Sequence, residues 1–157
     1  MSTLDLSLPM LQLNFEATAL AVVQIQPDEP IPPALLEALT QRSSGDPPAF
    51  LSITRTRAET SVVMPWQDHE RVFADVQEGK ETSGPWIALK VRGPMEFSLS
   101  GILHELTRPL KLAEVPIFAI STWDTDYVLI DAKNETAARR ALTDAGWQFG
   151  DPAPSSS

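Results

Sequence analysis

FLSITRTRAETSVV (residues 50–63) and IFAISTWDTDYVLI (residues 117–130) are two copies of one pattern, and the second begins 67 positions after the first. Apolar positions return as apolar and acidic positions as acidic, as Glu59 and Asp126 illustrate. Each copy has two β-rich runs around a short polar turn, which is typical of a β-hairpin. The repeat therefore predicts that one supersecondary unit occurs twice in the chain.

The same offset extends to the segments before each hairpin. The apolar run at residues 20–22 returns at residues 87–89. Helically spaced apolar residues follow both runs, namely Leu35, Leu36, Leu39, Ile102, Leu103 and Leu106. A further helix follows each hairpin, over residues 68–76 and residues 134–145. The order strand–helix–strand–strand–helix–strand predicts an α+β fold of two ferredoxin-like βαββαβ modules, with antiparallel sheets and helices on one face.

The pattern also predicts where each module begins and ends. The first module spans residues 11–82 and starts with an alternating strand, and the second spans residues 83–150. Residues 1–10 are predicted to be a flexible N-terminal segment. Residues 151–157, with two prolines and three serines, are a solvated tail.

Local signals in the second module predict how its helices start and stop. Ser98 or Ser100 is expected to be the N-cap of its first helix. Pro109 falls inside the apolar stripe of that helix, which predicts a kink or an early stop. Asn134 is expected to cap the last helix.

The amino-acid composition of the chain argues against some classes of binding partner. The chain has 157 residues, of which 21 are acidic and 12 basic, for a formal net charge of −9. Such a surface repels phosphate backbones and anionic lipids, so neither nucleic acid nor membrane is an expected partner. Cysteine is absent, no apolar run reaches the roughly 18–20 residues of a membrane span, and residues 1–10 lack the basic start of a signal peptide. These features predict a cytoplasmic protein.

Four stretches of the sequence point to a family: residues 50–56, residues 60–63, GPMEFSLSGIL (residues 93–103) and PIFAISTWDTDYVL (residues 116–129). They resemble a bacterial family of small tandem ACT-domain proteins, which is similar to the cytosolic arginine sensors of animals. The resemblance covers nearly the whole chain. It implies ferredoxin-like modules, a homodimer, and a free amino acid bound at the junction between modules, with no cofactor and no attached catalytic domain.

One departure from the family bears on the position of the site. The glycine that ACT domains often have at the first strand-to-helix turn has no match in the first module, where Pro32 and Pro33 stand. The second module has Gly93 and Gly101 around that turn. The ligand site is therefore expected to belong mainly to the second module.

The candidate ligand contacts combine backbone amides, hydroxyls and acids. A helix that starts near Ser98 or Ser100 presents unpaired N–H groups to a ligand carboxylate, although an ordinary N-cap explains the serines equally. Asp124 and Asp126 offer carboxylates to a ligand ammonium, with a polar turn as the alternative interpretation. The predicted ligand-binding set is Ser61, Val62, Ser98, Leu99, Ser100, Gly101, Ile102, Ile120, Ser121, Thr122, Asp124 and Asp126.

Catalytic and metal sites find little support in the sequence. His104 and Glu105 begin a zinc-protease pattern, but Arg108 stands where the second histidine is needed, so no metal site is predicted. No nucleophile–base pair is readable, so the chain is predicted not to be an enzyme. The leading hypothesis is a non-catalytic amino-acid sensor, with a slight preference for a basic ligand. The alternative is a constitutive protein–protein assembly module without a ligand.

Overall fold

The computed structural model describes residues 4–41, 49–94 and 101–150. The chain divides into two compact units. We call Thr18–Trp86 the inserted unit, and Met1–Ala17 together with Ile87–Ser157 the flanking unit. In chain order the strands and helices are β1 (Leu13–Phe15), β2 (Leu20–Ile25), α1 (Pro33–Thr40), β3 (Ser52–Arg55), β4 (Thr60–Pro65), α2 (His69–Val72), β5 (Glu81–Val91), α3 (Ile102–Leu112), β6 (Ile117–Ser121), β7 (Asp126–Asp131) and α4 (Glu135–Asp144).

The inserted unit has the strand order β3-β4-β2-β5, in which each neighbouring pair is antiparallel. The part of β5 that pairs with β2 lies before Ile87. One face of the sheet packs against α1 and the end of α2, because strand residues such as Val23 and Met64 form a core with Leu35 of α1 and with Phe73, the C-cap residue of α2. This is the ferredoxin-like arrangement of two central strands flanked by two outer ones.

The flanking unit has the order β1-β5-β7-β6, and β1 runs antiparallel to the end of β5. Its core joins strand residues such as Leu13, Leu89 and Ile130 to Leu106 of α3 and Leu142 of α4. The strand predicted after α4 contributes a single bridge between Phe149 and Leu13. Strand β1 therefore takes the edge position that a fourth strand of this unit would hold.

An aromatic–cation stack joins Phe149, the next-to-last described residue, to β1. The rings of Phe15 and Phe149 stack with centroids 5.6 Å apart. The guanidinium carbon of Arg139 on α4 lies 4.8 Å from one centroid and 4.6 Å from the other. Cation–π contacts of this kind stabilise by about 0.5–1 kcal/mol at exposed sites. The stack explains why the first and last described strand segments belong to one unit.

The predicted α+β ferredoxin-like fold class is confirmed. The compact units differ from the predicted boundaries 11–82 and 83–150 in two places: residues 83–86 fall in the inserted unit and residues 11–17 fall in the flanking unit. Residues 11–17 belong with the second half of the chain, because Leu11 and Leu13 are fully buried in the core of the flanking unit. None of the helices in the described ranges is long and apolar enough to cross a membrane.

Several local predictions were wrong. Helix α3 continues through Pro109 to Leu112, so the early stop, one of the two outcomes expected at Pro109, does not occur. The residue at its N-cap position is Gly101, and the predicted caps Ser98 and Ser100 lie outside the described residues. Asn134 stands at the N-cap position of α4 but makes no capping hydrogen bond through its side chain. Helix α2 is only four residues long, where the periodicity predicted residues 68–76.

Candidate functional site

The turn between β6 and β7 brings together most of the acids and hydroxyls that the sequence singled out. The hydroxyl of Ser121 donates a 2.5 Å hydrogen bond to Oδ1 of Asp126, directly across the two strands. The N–H of Thr122 donates to the carbonyl of Thr125 at 2.9 Å, which closes the turn around Trp123 and Asp124. The result is a compact hairpin end that presents two carboxylates and two hydroxyls.

Thr125 ties this hairpin end to the sheet, and the sequence analysis overlooked it. Its side chain is 4% exposed, and its hydroxyl donates to the backbone carbonyl of Val91, the last residue of β5. Strand β5 ends at Val91 and the next described element is α3, which begins at Ile102. A comparison of the two repeats could have drawn attention to Thr125. The matching residue in the first hairpin is Ala58, so only the second hairpin has a hydroxyl at this position.

The first turn of α3 supplies backbone N–H donors. Gly101 is exposed, has φ +83°, and accepts the N–H of Glu105 at 2.9 Å. Among residues 4–41, 49–94 and 101–150, no side chain caps the first turn, and its N–H groups point out of the helix end. They carry the positive end of the helix dipole, which favours an anion. Ile102, in contrast, is 3% exposed and packs into the core of the flanking unit.

The remaining predicted residues lie in different places. Ile120 pairs with Tyr127 on the hairpin. Ser61 and Val62 lie on β4 of the inserted unit, where Val62 is fully buried between Val23 of β2 and Ile53 of β3. Three members of the set lie outside the described residues: Ser98, Leu99 and Ser100.

The equivalent hairpin of the inserted unit makes different contacts. The carboxylate of Glu59 accepts a 2.6 Å hydrogen bond from the amide of Gln24, not from a serine or threonine hydroxyl. Arg55 of the same hairpin donates to the hydroxyl of Thr60 at 2.8 Å and to the carbonyl of Glu29 at 2.7 Å. The serine–aspartate pair is therefore a feature of the flanking unit's hairpin.

Two surface clefts lie away from the turn between β6 and β7. One, of about 820 Å³, is lined by the second half of α3 and the residues up to Ile117 in the flanking unit. The other, also of about 820 Å³, lies in the inserted unit between α1 and the end of β4. Within the described ranges, no three histidine, aspartate or glutamate side chains cluster in a way that could hold a metal ion.

Comparisons with known proteins agree with the topology. A solved protein from Agrobacterium tumefaciens is 25% identical, with a TM-score of 0.68 over 91% of this chain and 94% of its own. The regulatory subunit of aspartate kinase from Thermus flavus is 14% identical, with a TM-score of 0.59 over 85% of this chain and 96% of its own.

A longer protein shares the same fold. Aspartate kinase from Synechocystis is 17% identical, with a TM-score of 0.66 over 95% of this chain and 29% of its own. At 14% and 17% sequence identity, the similarity to these two aspartate kinase structures shows a shared fold alone. Residues 81–144, which run from β5 to the end of α4, match the family model of the ACT domain. The chain thus has the ferredoxin-like fold of ACT domains and carries a match to that domain in its second half.

Proposed function

We propose that this protein is a non-catalytic regulatory protein that binds a free amino acid through the hairpin end of its flanking unit. The observation that carries the proposal is the pair formed by Ser121 and Asp126, held beside the end of β5 by Thr125. This arrangement lies within the residues that match the ACT domain. Small-molecule regulation is also consistent with the fold shared with regulatory subunits of aspartate kinase.

The chemistry of a free amino acid suits the groups on this unit. Its ammonium group needs carboxylates, and Asp124 and Asp126 supply two at one turn. Its carboxylate needs N–H donors, which the uncapped first turn of α3 after Gly101 supplies. One ion pair at ~4 Å contributes about 4 kcal/mol at an effective dielectric constant near 20, before desolvation. The other members of the predicted set remain predictions that substitution can test, namely Ser61, Val62, Ser98, Leu99, Ser100, Ile102, Ile120 and Thr122.

We further propose that the two compact units are tandem ACT modules and that the protein acts in the cytoplasm as a homodimer. The repeat and the strand order of each unit support the tandem arrangement. The resemblance to the arginine sensors of animals makes arginine and lysine the first ligands to test. Nucleic acid and membrane are not proposed as partners, because the net charge of −9 repels both.

Isothermal titration calorimetry of the common amino acids tests the proposal. At least one amino acid is expected to bind the wild type, and Asp126→Asn is expected to weaken it about tenfold to a hundredfold, since a hydrogen bond to a charged group is worth roughly 1.5–3 kcal/mol. The asparagine keeps an oxygen that can accept from Ser121 and removes only the charge. The matched control is Glu59→Gln in the equivalent hairpin, which is expected to leave the affinity unchanged.

Two results would contradict the proposal. The first is the absence of binding by every amino acid of the panel at millimolar concentration. The second is an equal loss of affinity in Asp126→Asn and Glu59→Gln. Loss of a dimer in Asp126→Asn, with no ligand found, would instead favour the alternative of a constitutive assembly module.

A further inference from the structure

Three basic side chains follow one face of α3. His104, Arg108 and Lys111 are exposed, and their spacing along the chain places them on successive turns of the helix. At roughly 1.5 Å per residue, they extend along about 10 Å of the helix. The side chains of Arg108 and Lys111 make no ion pair or hydrogen bond with any described residue. We call these three residues the basic row, and they form a local basic surface on a chain of net charge −9.

The basic row lines an apolar cleft, the one of about 820 Å³ in the flanking unit. The lining includes Leu110 and Val115, which are buried, together with Leu112, 77% exposed, and Ile117, 37% exposed. Glu114 is the one acid among the described residues that line it. A surface with apolar and basic groups side by side suits an occupant that is itself apolar and acidic.

The basic row is not a requirement of the repeated fold. At the offset of 67 positions, the matching residues of the inserted unit are one acid and two neutral residues, namely Glu37, Gln41 and Ser44. The exposed Leu112 matches Gly45 in the same way. The apolar core positions of the two helices repeat, whereas these exposed positions do not. The packing of the module therefore does not explain the basic and apolar residues of this cleft.

We propose that this cleft binds an acidic amphipathic segment of another protein. Its carboxylates lie along the basic row, and its apolar side chains cover Leu112 and Ile117. An amphipathic helix with acids one turn apart matches the spacing of the row, and such a helix commonly lays its apolar face into a groove. One exposed ion pair contributes little to affinity, so several carboxylates and the burial of apolar area act together. A small anion would reach one member of the row alone.

Other occupants suit the charges of this surface less well. Nucleic acid and anionic membranes are repelled by the net charge of −9. A second copy related by a twofold axis at the cleft would bring each basic row against the same row, because such an interface is isologous. The inference goes beyond the proposed function and does not depend on it, since the basic row lies outside the proposed ligand contacts.

Selection of peptides from a random phage-displayed library on the immobilised full chain tests the inference. The enriched peptides are expected to combine acidic with large apolar residues, and fluorescence anisotropy of labelled synthetic copies then measures their affinity. Arg108→Glu sets like charges together and is expected to raise the peptide dissociation constant about tenfold or more. Leu112→Ser reduces the apolar area that the peptide buries and is expected to raise it about threefold or more.

The matched control is Arg57→Glu, an exposed charge reversal on the inserted unit that changes the net charge by the same amount. The peptide dissociation constant is expected to change by less than about twofold in this variant. Binding to the wild type is also expected to weaken between about 0.1 M and 1 M salt, because the Debye length falls from about 10 Å to about 3 Å.

Three results would overturn the inference. The first is a selection that enriches no acidic peptide, and the second is an equal loss of peptide affinity in Arg108→Glu and Arg57→Glu. The third is a wild-type dimer that dissociates in Arg108→Glu in sedimentation equilibrium, which would assign the cleft to a second copy. If circular dichroism shows that Arg108→Glu is unfolded, Leu112→Ser compared with Arg57→Glu decides.

Calorimetry with amino acids separates this inference from the proposed function. Arg108→Glu is expected to bind an amino acid as the wild type does while it loses the acidic peptides. A wild type that binds the acidic peptides through the basic row, and binds no amino acid, rejects the ligand proposal and leaves this inference intact. A wild type that binds an amino acid and no acidic peptide does the reverse.

Discussion

Replacement of Thr125 by valine tests whether one buried hydroxyl holds the hairpin end in place. The side chain is 4% exposed and its hydroxyl donates to the carbonyl of Val91, so valine keeps the volume and leaves that carbonyl without this donor. A buried polar group left without its partner costs about 1–3 kcal/mol. For a chain of this size, a loss of 1–2 kcal/mol lowers the melting temperature by about 2–8 °C.

Differential scanning calorimetry of Thr125→Val measures this shift, with Thr143→Val as the matched control. The hydroxyl of Thr143 also donates to a backbone carbonyl, that of Arg139 at 2.8 Å, but it does so on the exposed face of α4. Its removal is expected to change the melting temperature by less than about 2 °C, because surface substitutions seldom exceed 0.5 kcal/mol. Equal melting temperatures for Thr125→Val and the wild type would show that the hydroxyl of Thr125 does not stabilise the fold.

Two further predictions concern the packing of each unit and are measured by chemical denaturation. Leu142→Ala leaves a cavity at a fully buried position in the core of the flanking unit, and is expected to lower the free energy of unfolding by about 2–5 kcal/mol. The control Leu112→Ala changes a residue that is 77% exposed, and is expected to lower it by less than about 1 kcal/mol. Similar losses in the two variants would contradict the described core. Gly84 has a φ of +135°, and a Cβ added there by Gly84→Ala would lie 2.9 Å from the carbonyl oxygen of Leu20. The free energy of unfolding is therefore expected to fall by about 1–3 kcal/mol. A neutral or stabilising effect would contradict this close contact.

The fold class was predictable because the repeat and the hydrophobic periodicity are local signals. Residues 20–25, 60–65 and 126–131 have apolar patterns that specify strands without reference to distant partners. The position of β1 was not predictable in this way. Its alternating pattern shows that residues 13–15 form a strand, but the choice of partner depends on which distant core buries Leu13.

The candidate site was predictable in its residue types and not in its contacts. Asp126 and Ser121 stood out as an acid and a hydroxyl near a turn, and the structure adds that they are hydrogen-bonded to each other. Thr125 was missed because its role depends on contact with the end of β5, far away in sequence. The helix start was misplaced because Ser98 and Ser100 have favourable capping side chains, whereas the observed N-cap is Gly101 in a left-handed conformation.

A nuclear magnetic resonance titration of the ¹⁵N-labelled wild-type protein with arginine, lysine and the other common amino acids tests the central claim most directly. We expect one amino acid to shift the backbone amide signals of residues 121–126 and of the first turn of α3, and to shift those of residues 52–65 in the equivalent hairpin less. The absence of shifts at about 10 mM ligand would contradict it, as would shifts confined to the cleft between α3 and Ile117.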